Sequence, residues 1–72
     1  MNELVYTVTA GSEILMVTLS LDRAIDFISS AAHVDKESVR KRFEGGIAYV
    51  ESKNDLDSYR RLYTLEEHEL HR

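Results

Sequence analysis

Between Leu21 and Phe43 the segment LDRAIDFISSAAHVDKESVRKRF carries two helical patterns separated by a very short break. This feature constrains the fold most, because so little chain between two helices forces a sharp corner. In the first pattern Leu21, Ala24, Ile25, Ile28, Ala31 and Ala32 recur at the spacing of one helical face, while Asp22, Arg23, Asp26 and Ser29 fall elsewhere. Ser20 precedes the run as an expected N-cap, and Phe27 borders the stripe. In the second pattern Val39 and Phe43 share a face, and Lys36, Arg40, Lys41 and Arg42 crowd the remainder. Asp35 is the expected N-cap there, and Gly45-Gly46 can supply the left-handed residue that stops a helix. His33 and Val34 form the corner. A corner residue often needs positive φ, which His tolerates better than most non-glycine residues.

Strand patterns flank this unit. Leu4 to Thr9 alternates, Ile14 to Leu19 is apolar and β-branched, and Gly11-Ser12 between them reads as a type II′ turn. That turn pairs Val8 with Leu15, Tyr6 with Val17 and Leu4 with Leu19, so that all six share one face. Val5, Thr7, Thr9, Ile14, Met16 and Thr18 then form the other. Ile47 to Glu51 reads as a third strand and Ser58 to Leu65 as a fourth, with Ser52 to Asp55 as the turn region. A corner at Asn54-Asp55 sets Val50 against Tyr59 and Ile47 against Leu62; a wider loop gives another register, and both stay open. Met1 and Asn2 read as frayed. The final EEHELHR reads as a loose polar tail, with strand extension or a helical turn as alternatives. The expected class is α+β, ordered ββααββ, with antiparallel hairpins flanking a two-helix unit. The helices should bury Leu21, Ala24, Ile25, Ile28, Val39 and Phe43 against Leu4, Tyr6, Val17 and Leu19.

Composition narrows the function. Seventy-two residues predict one domain with a marginal core, and the absence of cysteine removes disulfides and thiolate metal sites as staples. Oligomerisation is the remaining common remedy, so a homodimer or partner contact is expected through Val5, Ile14 and Met16. The longest nearly apolar run, Ile14 to Leu21, is far below the ~20 residues that span a bilayer, which predicts a soluble, cytoplasmic chain without membrane contact. The net charge of −4, from 13 acids and 9 bases, argues against a free-standing DNA-binding domain.

Catalytic chemistry finds little support, and no enzyme, cofactor, catalytic residue or metal ligand is assigned. His68 and His71, beside Glu67 and Glu69, lack the spacing of a zincin helix. Gly45-Gly46 follows a helix, whereas a phosphate cradle precedes one. Tyr59, Arg60, Arg61 and Tyr63 form a candidate stacking strip for nucleic acid, with ordinary sheet packing as the plainer reading.

One resemblance gives the helical pair a possible role. Ile28 to Phe43, ISSAAHVDKESVRKRF, resembles the helix-turn-helix of bacterial repressors over 16 of the 72 residues. Ile28, Ser29 and Ala32 match the positions before the turn. His33 and Val34 match the turn residue and the aliphatic plug, Asp35 the helix start, and Val39 and Phe43 the buried positions. His33 departs from the usual glycine, and Arg42 stands where the family often has an apolar residue. The resemblance implies a DNA-binding transcriptional regulator in which Lys36, Glu37, Ser38, Arg40 and Lys41 face the major groove. Arg60 and Arg61, on the second hairpin, would then serve as a wing on the phosphate backbone. The alternative is an acidic, non-enzymatic protein-binding module that regulates or inhibits a partner; small chains of this kind resemble accessory proteins of phages and other mobile elements. A contiguous cationic face over the second helix favours the first reading, and interleaved acids favour the second.

Overall fold

The computed structural model describes residues 2–52 and 61–71. Its elements are β1 (Asn2–Ala10), β2 (Glu13–Thr18), α1 (Leu21–Ala32), α2 (Lys36–Arg42), β3 (Ile47–Glu51) and β4 (Leu62–His71). The four strands form one antiparallel sheet in the order β2-β1-β4-β3. Both helices lie on one side of it, and the α+β class with the order ββααββ is as the residue patterns predict.

The helical unit follows from local rules. Ser20 caps α1, its hydroxyl accepting from the Arg23 N–H at 3.3 Å. Ala24, Ile25, Ile28 and Ala32 are the buried stripe. His33 ends the helix at φ 56°, ψ 44°, and is the non-glycine residue with positive φ among the described residues. The N–H groups of His33 and Val34 both reach the Ser29 carbonyl, and the Ser29 hydroxyl donates to the Val34 carbonyl at 2.6 Å. The corner is thus closed by Ser29 and plugged by buried Val34. A left-handed non-glycine residue costs roughly 1–2 kcal/mol, while glycine loses about 0.5–1 in chain entropy. His33 is exposed, so His33→Gly should raise stability by about 0.5–1 kcal/mol in urea unfolding. A loss instead would mean that the imidazole holds the corner.

Two capping expectations are corrected. Asp35 sits at the N-cap of α2 but makes no side-chain cap bond; the Val39 N–H instead bonds the Asp35 backbone carbonyl at 3.1 Å. The glycines do not terminate α2, whose last turn closes at Phe43. They take φ 71° and 86° as the two centre residues of a tight reversal that bridges Glu44 to Ile47 and launches β3.

The first hairpin turns where expected, with Gly11 at φ 61° and Ala10 opposite Glu13. Its register then departs from the paper one. A β-bulge sets Leu15 and Met16 against Val8, so the later pairs are Val8↔Met16, Thr7↔Val17 and Tyr6↔Thr18. One extra residue flips every side chain beyond it. Leu15 and Met16 both pack on the core, whereas Val17 and Leu19, expected inside, are exposed. Leu4 is exposed for a different reason. The 12-residue α1 is about 18 Å long, and the nine-residue β1 about 30 Å, so the helix cannot cover that strand end to end.

β4 absorbs the tail that reads as loose. It runs to His71 because β1 offers a complete ladder, from Asn2↔His71 to Ala10↔Tyr63. Asn2, expected to fray, belongs to the same ladder. The second hairpin takes the wider register, with Val50↔Tyr63 and Ile47↔Glu66. The proposed Asn54-Asp55 corner and the Ser58–Arg60 start of the fourth strand lie outside the described residues. The core comprises Tyr6, Val8, Ala10, Ala24, Ile25, Ile28, Ala32, Val34, Val39, Ala48, Val50, Tyr63 and Leu65, with Leu21 and Phe43 partly buried against it.

Candidate functional site

The predicted DNA-contacting residues are only partly assembled. Lys36, Glu37, Arg40 and Lys41 line one open depression along α2. Ser38 is half-buried, and Lys41 and Arg42 are exposed with no acidic partner among the described residues. The other two cations are engaged. Lys36 Nζ lies 2.9 Å from Asp26 Oδ1, and Arg40 Nη2 lies 3.2 Å from Asp22 Oδ1. Both acids come from the polar side of α1, so acids and bases alternate across the helix pair. A plainer role also exists for Arg40, Lys41 and Arg42. They occupy the last turn of α2, where positive charge offsets the carbonyl end of the helix dipole.

Arg61 does not join this group. Its Nη2 pairs with Glu13 Oε2 at 3.4 Å, and it lines a depression with Ala10, Gly11, Leu62 and Thr64. Arg60 and Tyr59 lie outside the described residues. Tyr63 is buried in the core, so it cannot stack on a base as the strip reading required.

No described helix or loop covers the opposite side of the sheet. Strand alternation puts Glu3, Val5, Thr7 and Thr9 of β1 on it, with Ile14 and Val17 of β2, Ile47, Tyr49 and Glu51 of β3, and Leu62, Thr64, Glu66, His68 and Leu70 of β4. Ile14, Val17, Tyr49 and Leu62 are 67%, 61%, 57% and 52% exposed. The sequence predicts such a face, but assigns it Met16 in place of Val17 because the bulge carries no residue signature. The contributions of Ile47, Tyr49 and Leu62 escape it because they depend on β4 pairing with both β1 and β3. The alternation of Ile47 and Tyr49 with buried Ala48 and Val50 was the available clue.

Near the middle of this face Thr7 Oγ1 lies 3.1 Å from His68 Nε2, and Glu66 Oε2 lies 3.6 Å from the same nitrogen. A nucleophilic relay needs the hydroxyl and the carboxylate on opposite ring nitrogens. This arrangement is a surface polar cluster. Among the described residues no group of three or more His, Asp or Glu is placed to hold a metal, and no helix is long and apolar enough to cross a membrane.

On the covered side, Tyr6 meets Phe43 edge-on at 6.1 Å between ring centroids. Burial raises the Tyr6 phenol above its usual 10.0, and the charge of Glu67, which accepts its hydroxyl hydrogen bond, raises it further. The folded state therefore holds this proton more tightly than the unfolded chain. Its contribution to stability is complete below about pH 10 and is lost as pH rises through the folded value. Urea unfolding of the wild type should weaken between mildly and strongly alkaline pH, and Tyr6→Phe should flatten that decline. Equal slopes in the two proteins would refute the assignment.

No protein-family model, curated protein or solved structure matches this chain.

Proposed function

We propose that this protein is a non-enzymatic protein-binding module, a regulator or inhibitor of a partner, whose contact surface is the bare face of the sheet. One observation carries the reading: four large apolar side chains, Ile14, Val17, Tyr49 and Leu62, stand more than half exposed on one continuous sheet face. Scattered apolar groups are normal on a surface, but here they form a strip on each edge strand of one face, Ile14 with Val17 and Ile47 with Tyr49, flanking a middle of Thr7, Thr9, Thr64 and Glu66. The interleaved acids on the helix side point the same way, since they disfavour a phosphate backbone there.

The test compares two sets of variants in affinity capture. Val17→Lys and Tyr49→Lys alter the sheet face, and Lys41→Glu with Arg42→Glu alters the helix face. The sheet variants should lose proteins retained by the wild type, and the helix variant should keep them. The reverse pattern sinks the reading.

A second reading, a helix-turn-helix-like DNA-binding regulator, draws support from the left-handed break at His33 and the open position of Lys41 and Arg42. The ion pairs of Lys36 and Arg40 are exposed and weak, about 0–1 kcal/mol each. Breaking them is easy, yet Asp22 and Asp26 remain beside any phosphate that replaces them. The two cations with no acidic partner among the described residues give a log–log salt slope of about −2 for duplex DNA, against roughly −4 if all four contributed. Fluorescence anisotropy on duplex DNA at low salt decides it. No binding there removes the DNA reading, and a slope near −4 with loss in Arg40→Ala would favour it over the sheet-face proposal.

A further inference from the structure

We infer that the occupant of the bare sheet face is a second copy of this chain, packed sheet to sheet. The inference rests on the reading of that face as a binding surface and adds the partner's identity. Its basis is a match of the face to itself. An approximate two-fold axis runs normal to the sheet through the Val8↔Leu65 pair. Through the observed registers it relates Ile14 to Ile47, Val17 to Tyr49, Val5 to Leu62 and Thr7 to Thr64. Apolar groups therefore lie on both edge strands, and threonines occupy the middle.

Two such faces stacked about an axis along the strands lay β2 of each copy over β3 of the other. Ile14 and Val17 then oppose Ile47 and Tyr49. Glu66 opposes Thr7, so the two carboxylates do not confront each other. Aligned sheets cross at about 30°, which keeps edge over edge.

Charge excludes a phosphate ligand. No Lys or Arg stands among the residues named on this face, whose carboxylates are Glu3, Glu51 and Glu66, the last against His68. Salt screens these charges between two copies and leaves apolar contact as the main attraction. Size sets the affinity. Four strands spaced about 4.8 Å apart, with the central pair running longer, give a footprint of roughly 500 Å² per copy. The total of about 1,000 Å² falls below the ~1,200 Å² of stable interfaces and among weak, transient ones, so the dimer should be weak, with a Kd on the order of 10 μM.

Sedimentation equilibrium on the full chain tests this across the micromolar range, at low and high salt. The wild type should dimerise, and more tightly at high salt, because each copy carries a net charge of −4 that salt screens. Val17→Lys and Tyr49→Lys should each weaken the dimer at least about tenfold, while Lys41→Glu should leave it unchanged. Both lysines enter exposed positions, and circular dichroism verifies that each variant folds. A strict monomer at the highest concentration overturns the inference, as does a dimer that persists in both sheet variants. If the wild type is monomeric but the sheet variants still lose a captured protein, the binding face stands and the second copy is wrong. If they lose nothing, both fall.

Discussion

Ile28→Ala should cost this protein about 2–5 kcal/mol, the range for truncating a buried aliphatic side chain. Ile28 is fully buried and belongs to the face of α1 that closes the single core. A chain of 72 residues has about 4–11 kcal/mol of total stability. One truncation therefore removes a large share and, at the low end of that range, unfolds the protein. Little can collapse into the gap, since the neighbouring helix positions Ala24 and Ala32 are already small. Urea unfolding followed by circular dichroism measures the loss. A cost below about 1 kcal/mol would show that α1 is not held by this core.

The second large effect concerns two adjacent residues of β2. Met16→Asp should destabilise by about 2–4 kcal/mol, because it drives a carboxylate toward apolar neighbours with no partner. Val17→Asp should stay within about 1 kcal/mol, since Val17 projects into solvent in the monomer. The uninterrupted register of the Gly11-Ser12 turn predicts the opposite ranking, so the pair of measurements tests the bulge at Leu15 directly. Both belong at low protein concentration, where self-association through Val17 does not contribute. If Val17→Asp is the more damaging change, the bulge is absent and the face proposed for docking must be redrawn with Met16 on it.

The α2 cations show how a residue pattern can misjudge the charge of a surface. In the sequence Lys36, Arg40 and Lys41 read as one cationic flank. In the structure Asp26 and Asp22 reach across from α1 and answer two of them. Those acids sit 10 and 18 residues earlier in the chain than their partners, a separation that no periodicity within α2 reveals. Without them the flank is an uninterrupted positive surface; with them acids and bases alternate along it.

Local chemistry settled much of this molecule before any packing was known. The stripe of α1, the left-handed corner at His33, the turn at Gly11 and the span of Ile47–Glu51 each depend on a few neighbouring residues whose backbone preferences are strong. The joining of both hairpins through β1 and β4, the extension of β4 to His71, the bulge at Leu15 and the bare side of the sheet were decided only by tertiary structure. Strand alternation records two faces but not which one the helices will cover, and a polar segment such as EEHELHR orders only when a distant strand supplies its hydrogen bonds.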